Sequence, residues 1–267
     1  MKILKNAGAF EVLTKTEDIV TAIATAARTC YQSQDKASPE NDIKLLKNII
    51  NRNHTPMLEF ADMTVRFDLV SRGFTHEDVR HRLCSFAQES TRYVDESDFL
   101  VVVPPHKDEN EKCVQIYHEN SDGKMDQFNM SLSQWFDVNE QAYKSLRKNG
   151  WKPEDARQVL PTAIKSQIVH KANMAEWRHI FFRRCDKFAH WEIRKVMLDL
   201  LSYCKQNIPI IFDDFHFFNT EDGSIYARPV KTEFQLSEEI RHFILAHIDD
   251  EPELLDNMIA KIKATKQ

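Results

Sequence analysis

Residues 61–69 read Ala-Asp-Met-Thr-Val-Arg-Phe-Asp-Leu. Ala61, Met63, Val65, Phe67 and Leu69 alternate with Asp62, Thr64, Arg66 and Asp68. Successive side chains of an extended chain point to opposite faces, so this period predicts a strand buried on one side only. Upstream, Ile19, Ile23 and Ala27 share one face of a helix over 17–31. Ser38 caps a second helix and Pro39 starts it; Ile43, Leu46 and Ile50 align along it towards Asn53. Downstream, Thr75 and Asp78 have the spacing of a capping box, which opens a short helix to about Leu83. Residues 98–103 predict a strand stopped by Pro104 and Pro105. The polar stretch 105–129 carries a turn signal from Asn120 to Gly123 and reads as an insert or long hairpin.

A helix over 131–149 ends at Gly150, and Pro153 starts a short one that stops before Pro161. Residues 162–172 predict the second long strand. Helices follow at 173–185 and 187–206, then near 237–248 and 251–264 as a C-terminal extension to about 237–264. No regular strand–helix–strand alternation and no repeat emerges. The expectation is an α+β fold forming one domain over 1–267.

Composition narrows the function. The 267 residues are 42% hydrophobic and 29% charged, which is enough for a sizeable core. There are only five glycines, Gly8, Gly73, Gly123, Gly150 and Gly223, and no two are close. That excludes the dinucleotide fingerprint, the P-loop and the nucleophile elbow, each of which needs paired glycines. Phosphates, if bound, fall to side chains and helix N-termini. A net charge of −5 argues against a generally basic nucleic-acid binder. Asn6 and Glu11 interrupt the N-terminal apolar character, and no run suits a membrane helix. The five cysteines form no CxxC pair, so reduced thiols and a cytoplasmic location are expected.

Two clusters concentrate positive charge. RHRLCSFAQESTRY, residues 80–93, places Arg80, Arg82 and Arg92 around His81 and Ser90. A guanidinium matches phosphate oxygens, but a solvated helix end with paired arginines explains the same residues. WRHIFFRRCDKFAHWEIRK, residues 177–195, sets Trp177, Ile180, Phe181 and Arg184 at helical spacing. A core helix rimmed by arginines accounts for its apolar positions and less well for His179 and Arg184. His76-Glu77 and His81 miss the spacing of a zinc-protease helix by one residue. Ser90 with His81 or His54 lacks the elbow of a hydrolase. His54 itself suits the C-terminal end of the second helix, where the dipole favours a protonated ring.

Taken together, the ordered motifs are more specific. RHR followed by SxRY (Arg80, His81, Arg82 and Ser90 to Tyr93) resembles the signature of flavin-dependent thymidylate synthases. AARTCY (26–31), His54 with LEFA (58–61), RGFTHEDVRHR (72–82), ARQVLP (156–161), NMAEWRH (173–179) and RRCDKFAHWEIR (183–194) follow in the family's order, over about 20–215. The resemblance implies an antiparallel sheet flanked by helices, a homotetramer and active sites between subunits. It implies FAD as cofactor, dUMP as substrate, and 5,10-methylenetetrahydrofolate and NADPH as co-substrates, with no metal, membrane or nucleic-acid partner. By position, Arg80, His81, Arg82, Gln88, Asn173 and His179 would hold FAD. Glu77, Arg80, Gln88, Ser90, Thr91, Arg92 and Arg184 would bind dUMP, and Arg157 would reach it from another subunit. Arg184, His54 and Ser90 are the catalytic candidates: Arg184 to stabilise charge developing on the uracil ring, His54 beside folate and flavin, Ser90 to position dUMP. The rival readings are a flavin- and folate-dependent pyrimidine nucleotide hydroxymethylase and a non-catalytic nucleotide- or RNA-binding protein.

Overall fold

The structure, a computed structural model, describes residues 2–230. The helices expected near 237–248 and 251–264 lie outside the described residues. In chain order come β1 (Lys2–Leu4), β2 (Ala9–Val12), α1 (Ile19–Tyr31), α2 (Pro39–Asn51), β3 (Asp62–Ser71), α3 (Arg72–Asp78), β4 (Ser85–Gln88) and β5 (Leu100–Val102). The second half holds β6 (Val114–Glu119), β7 (Met125–Met130), α4 (Leu132–Lys148), α5 (Pro153–Ala156), β8 (Lys165–Asn173), α6 (Met174–Arg184), α7 (Trp191–Asn207), β9 (Phe215–Asn219) and β10 (Ile225–Pro229). This is a mixed helix-and-sheet single domain, as expected.

The central sheet has four strands in the order β2-β3-β8-β4, all pairs antiparallel. Met63, Val65 and Phe67 of β3 are fully buried, on the predicted face. The alternation does not reach Leu69. The register shifts between Phe67 and Val70, Leu69 takes a φ of +54°, and Val70 is buried in its stead. A bulge of this kind inserts a residue and reverses the phase of the side chains that follow. Behind the sheet, α1, α2, α6 and α7 contribute Ile23, Leu46, Trp177, Phe181, Met197 and Leu200 to one core. Trp177 also donates from Nε1 to Met63 O at 2.9 Å, locking α6 onto β3. A smaller core joins β5 to α4 through Val101, Phe136 and Ile164.

Two expectations change here. α3 starts three residues before Thr75, because Ser71 caps it by accepting from Phe74 N–H at 3.0 Å. Thr75 lies inside the helix, where its hydroxyl donates back to Arg72 O at 3.1 Å. The helix also stops at Asp78, so Arg80, His81 and Arg82 sit on a turn. The polar segment near 105–129 forms the β6–β7 hairpin, which among the described residues pairs only with itself, and Asn120 Oδ1 accepts two N–H groups at its tip.

Candidate active site

The turn after α3 decides where the first cluster points. Val79, Arg80 and His81 N–H groups close back on Thr75, Glu77 and Asp78 carbonyls at 3.0, 3.4 and 3.2 Å. The result turns His81 inward and leaves Arg80 and Arg82 exposed. Beneath the turn, Asp78 meets His170 Nδ1 at 3.0 Å, both fully buried, which ties the end of α3 to β8. His170 packs between Phe86 and Trp177, its ring tilted to both, with centroids 4.5 and 4.6 Å away.

The second cluster arrives on α6. Asn173 caps that helix, its Oδ1 accepting from Glu176 N–H at 2.8 Å. Trp177, Ile180 and Phe181 are fully buried, and Arg184 leaves the core at the last turn. Its guanidinium is held on three sides. Nε donates to His81 Nε2 at 3.0 Å, one terminal nitrogen to Glu77 Oε2 at 3.1 Å, and the other to Glu77 O at 2.7 Å. With the Arg184 side chain 20% exposed, that ion pair adds about 0–1 kcal/mol of stability. Its larger effect is orientation. Burial, then the charge of Arg184, pushes His81 down to about 3, so the ring that accepts from Arg184 is neutral.

Arg80, His81, His179, Arg183 and Arg184 line a cavity of about 590 Å³, edged by Phe182 and Phe188. Phe188 is 86% exposed. Among the described residues, neither Arg80 nor Arg82 has an ion-pair partner. The Arg80 guanidinium, beside exposed aromatic faces, suits a ligand with a planar ring and phosphates. His81, Glu176 and His179 bring potential metal-ligating atoms within 4.8 Å of one another. A cation there would face three arginines, and His81 Nε2 already accepts from one of them.

A second, smaller cavity of about 140 Å³ lies between Arg72, His76, Thr91 and Arg157. Arg72 and Arg157 each donate to Thr91 Oγ1 at 3.4 Å, and Arg72 also donates to Glu89 O at 3.1 Å. Gln88 Nε2 donates to Thr75 Oγ1 at 2.7 Å, and Ser90 Oγ accepts Arg92 N–H at 3.3 Å. Arg92 pairs with Glu154 at 3.1 Å. Within the chain, Arg157 therefore lies against the 88–92 loop; the resemblance has it reach the nucleotide held by another subunit. The reason is local: the turn after α5 puts Arg157 directly against Thr91.

The structure therefore gathers Arg80, His81, His179 and Arg184 at one cavity, with Glu77 bound to Arg184. It gathers Thr91 and Arg157 at another, with Gln88, Ser90 and Arg92 on the adjoining loop. It does not bring His54 to either. That residue is exposed, precedes a 3-10 turn at Thr55–Phe60, and donates its N–H to Ile49 O at 2.8 Å. Arg28 of the AARTCY motif is structural: it donates twice to Asp42, joining α1 to α2 in a buried pair. Glu176, Arg183 and Arg72 were not assigned roles from sequence. The Asn173-to-Glu176 capping spacing and the doubled Arg183-Arg184 were the signals available for the first two.

The site is thus an oriented arginine at the wall of a cationic, aromatic-edged cavity on an α+β fold. The family model described as thymidylate synthase complementing protein matches residues 11–210. The flavin-dependent thymidylate synthase of Corynebacterium glutamicum is 33% identical over 216 residues, 80% of this chain and 86% of that protein. That of Mycobacterium tuberculosis is 32% identical over 211 residues, covering 78% and 84%. The chain belongs to the flavin-dependent thymidylate synthase family, whose members are methyltransferases. Solved structures share the fold. The UMP/dUMP methylase PolB from Streptomyces cacaoi bound with 5-Br dUMP superposes with TM-score 0.62 at 17% identity, covering 80% of this chain and 96% of that one. Thymidylate Synthase X from Helicobacter pylori, with FAD and dUMP, gives 0.55 at 17% identity, covering 77% and 99%. Among the described residues no helix is long and apolar enough to cross a membrane.

Proposed function

We propose that this chain catalyses reductive methylation of dUMP to dTMP, with bound FAD, 5,10-methylenetetrahydrofolate as carbon donor and NADPH as reductant, in a homotetramer. The observation that carries the reading is the Arg184 guanidinium, fixed by Glu77 and His81 at the wall of the cationic cavity. FAD, when bound, supplies the two-electron chemistry that uracil and amino-acid side chains cannot. Arg80, Arg82, His81, His179 and Asn173 are the residues that would hold it.

The work left to the chain is to bind, orient and polarise. Arg184 is placed to stabilise negative charge as it develops on the pyrimidine, which makes the ring carbon nucleophilic. One such preorganised donor is worth about 3 kcal/mol. The alternative route to an activated ring is addition of a thiolate, and the cysteines near this site are unsuited to it. Burial, then the charges of Glu176 and Asp78, pushes Cys84 up to about 12. Burial also raises Cys185 well above its ordinary value. Ser90 accepts a backbone N–H, and among the described residues no base hydrogen-bonds its hydroxyl, which favours a positioning role over attack.

Under this reading one nucleotide touches Arg184 of one chain and Arg157 of another. The two cavities share no lining residue. Glu77 faces Arg184, and His76, the adjacent residue, lines the other cavity. Neighbouring residues on a helix diverge by about 100°. The test is direct. The purified chain should absorb as a flavoprotein and convert dUMP to dTMP with methylenetetrahydrofolate and NADPH, the product identified by mass. A colourless protein with no dTMP formed in the presence of added FAD would overturn the proposal.

A further inference from the structure

We propose that Glu176 is a positioning residue for this reaction: its carboxylate faces His81 Nδ1 and keeps that ring in the tautomer whose Nε2 accepts from Arg184. The inference rests on the reading of Arg184 as the activating group. Arg184 is a donor that keeps its protons. Because Nε donates to His81 Nε2, that nitrogen carries a lone pair and the ring proton of the neutral imidazole resides on Nδ1. Nδ1 faces Glu176 Oε1 at 3.5 Å, with the Glu176 side chain 11% exposed and that of His81 6% exposed.

The placement of Glu176 is not explained by its helix. Three residues after the cap, a glutamate ordinarily returns its carboxylate to the N-cap N–H and completes a capping box. The Ser131–Gln134 pair at the start of α4 does so. At α6 only half of that exchange is present: Asn173 Oδ1 takes the Glu176 N–H. The carboxylate turns instead to His81. A chain of contacts results, Glu176 to His81 to Arg184 to Glu77, which runs from α6 through the turn after α3 and back. A carboxylate that selects a histidine tautomer so that the far nitrogen meets its partner is a recurrent catalytic device. Here the partner is a cation to be aimed, and the ring acts as the acceptor.

The test uses the full chain with isotope-labelled histidine, the His81 ring nitrogens being assigned with a His81→Asn control. The wild type should show Nδ1 protonated and Nε2 bare. Glu176→Ala should mix the tautomers, and Glu176→Gln, whose amide oxygen still accepts, should restore the wild-type pattern. Glu176→Leu, closer in volume, repeats the measurement should the alanine variant fail to fold. In turnover, Glu176→Ala should lower kcat by roughly tenfold to a hundredfold with KM for dUMP little changed, the effect typical of groups that orient a functional histidine. An unchanged His81 tautomer in the alanine or leucine variant overturns the proposal. If the tautomer shifts while even the wild type makes no dTMP, the positioning stands and the assigned reaction fails.

Discussion

Arg184 and Arg28 are the same amino acid put to different uses, and only their surroundings distinguish them. Arg28 spends its guanidinium on buried Asp42 and fastens two helices. Arg184 is held at its edges by Glu77 and His81, so it is steered without being buried. Replacing Arg184 with alanine should lower kcat for dTMP formation by roughly a hundredfold to a thousandfold while the flavin spectrum persists. Steady-state kinetics and absorbance on one sample decide this. A second residue-scale prediction concerns Glu96. Burial, then the charge of Glu89, pushes its carboxyl from 4.5 up to about 7. Folding then favours the protonated form. Its contribution to stability is full below pH 4.5 and is lost as pH rises through about 7. Glu96→Gln should match the wild type at acid pH and exceed it by roughly 1–3 kcal/mol above neutrality, read by denaturant titration across pH. An unchanged difference across that window would contradict the assignment. At this scale the motif arginines were legible from the sequence because residue type and order carry them. The partners of His81 were not, since Glu176 lies almost a hundred residues away and meets it only through the fold.

Elements show a similar division between what repeats and what needs a partner. β3, α1, α2, α4 and α7 were legible because each sustains one period long enough to define a face. β1, β2, β4 and the β9–β10 hairpin were not read as strands. They run three to five residues each and exist by virtue of the strand beside them. Thr75 shows how spacing misleads: it has a partner three residues on, but Ser71 reaches the free N–H groups first. Gly8, before β2, has a φ of +87°, and a Cβ there would lie 2.1 Å from Val196 Cγ2 on α7. Gly8→Ala should therefore destabilise by roughly 2–4 kcal/mol, combining left-handed strain with overpacking. Ser131→Ala removes the reciprocal cap of α4 and should cost about 1 kcal/mol. Thermal and denaturant melts of both variants check the order: the glycine variant should be the less stable.

At the scale of the whole molecule, one chain presents two anion-seeking surfaces that share no lining residue. One is built by the turn after α3 and the end of α6, the other by Arg72, Thr91 and Arg157. Sequence order alone could not show that Arg157 and the 88–92 loop belong together. The two segments are separated by β5, the β6–β7 hairpin and α4, and meet where Arg157 reaches Thr91 and Arg92 pairs with Glu154. On the proposed reading, the two surfaces meet on one nucleotide across two copies of the chain. Co-expressing Arg184→Ala with Arg157→Ala tests this most directly. Each variant alone should be nearly inactive. Mixed assemblies should regain activity in roughly a quarter of their sites, those that pair an intact Arg184 with an intact Arg157 from different chains under random assortment. A mixture as inactive as either parent, in assemblies shown to contain both chains, would contradict an active site shared between subunits.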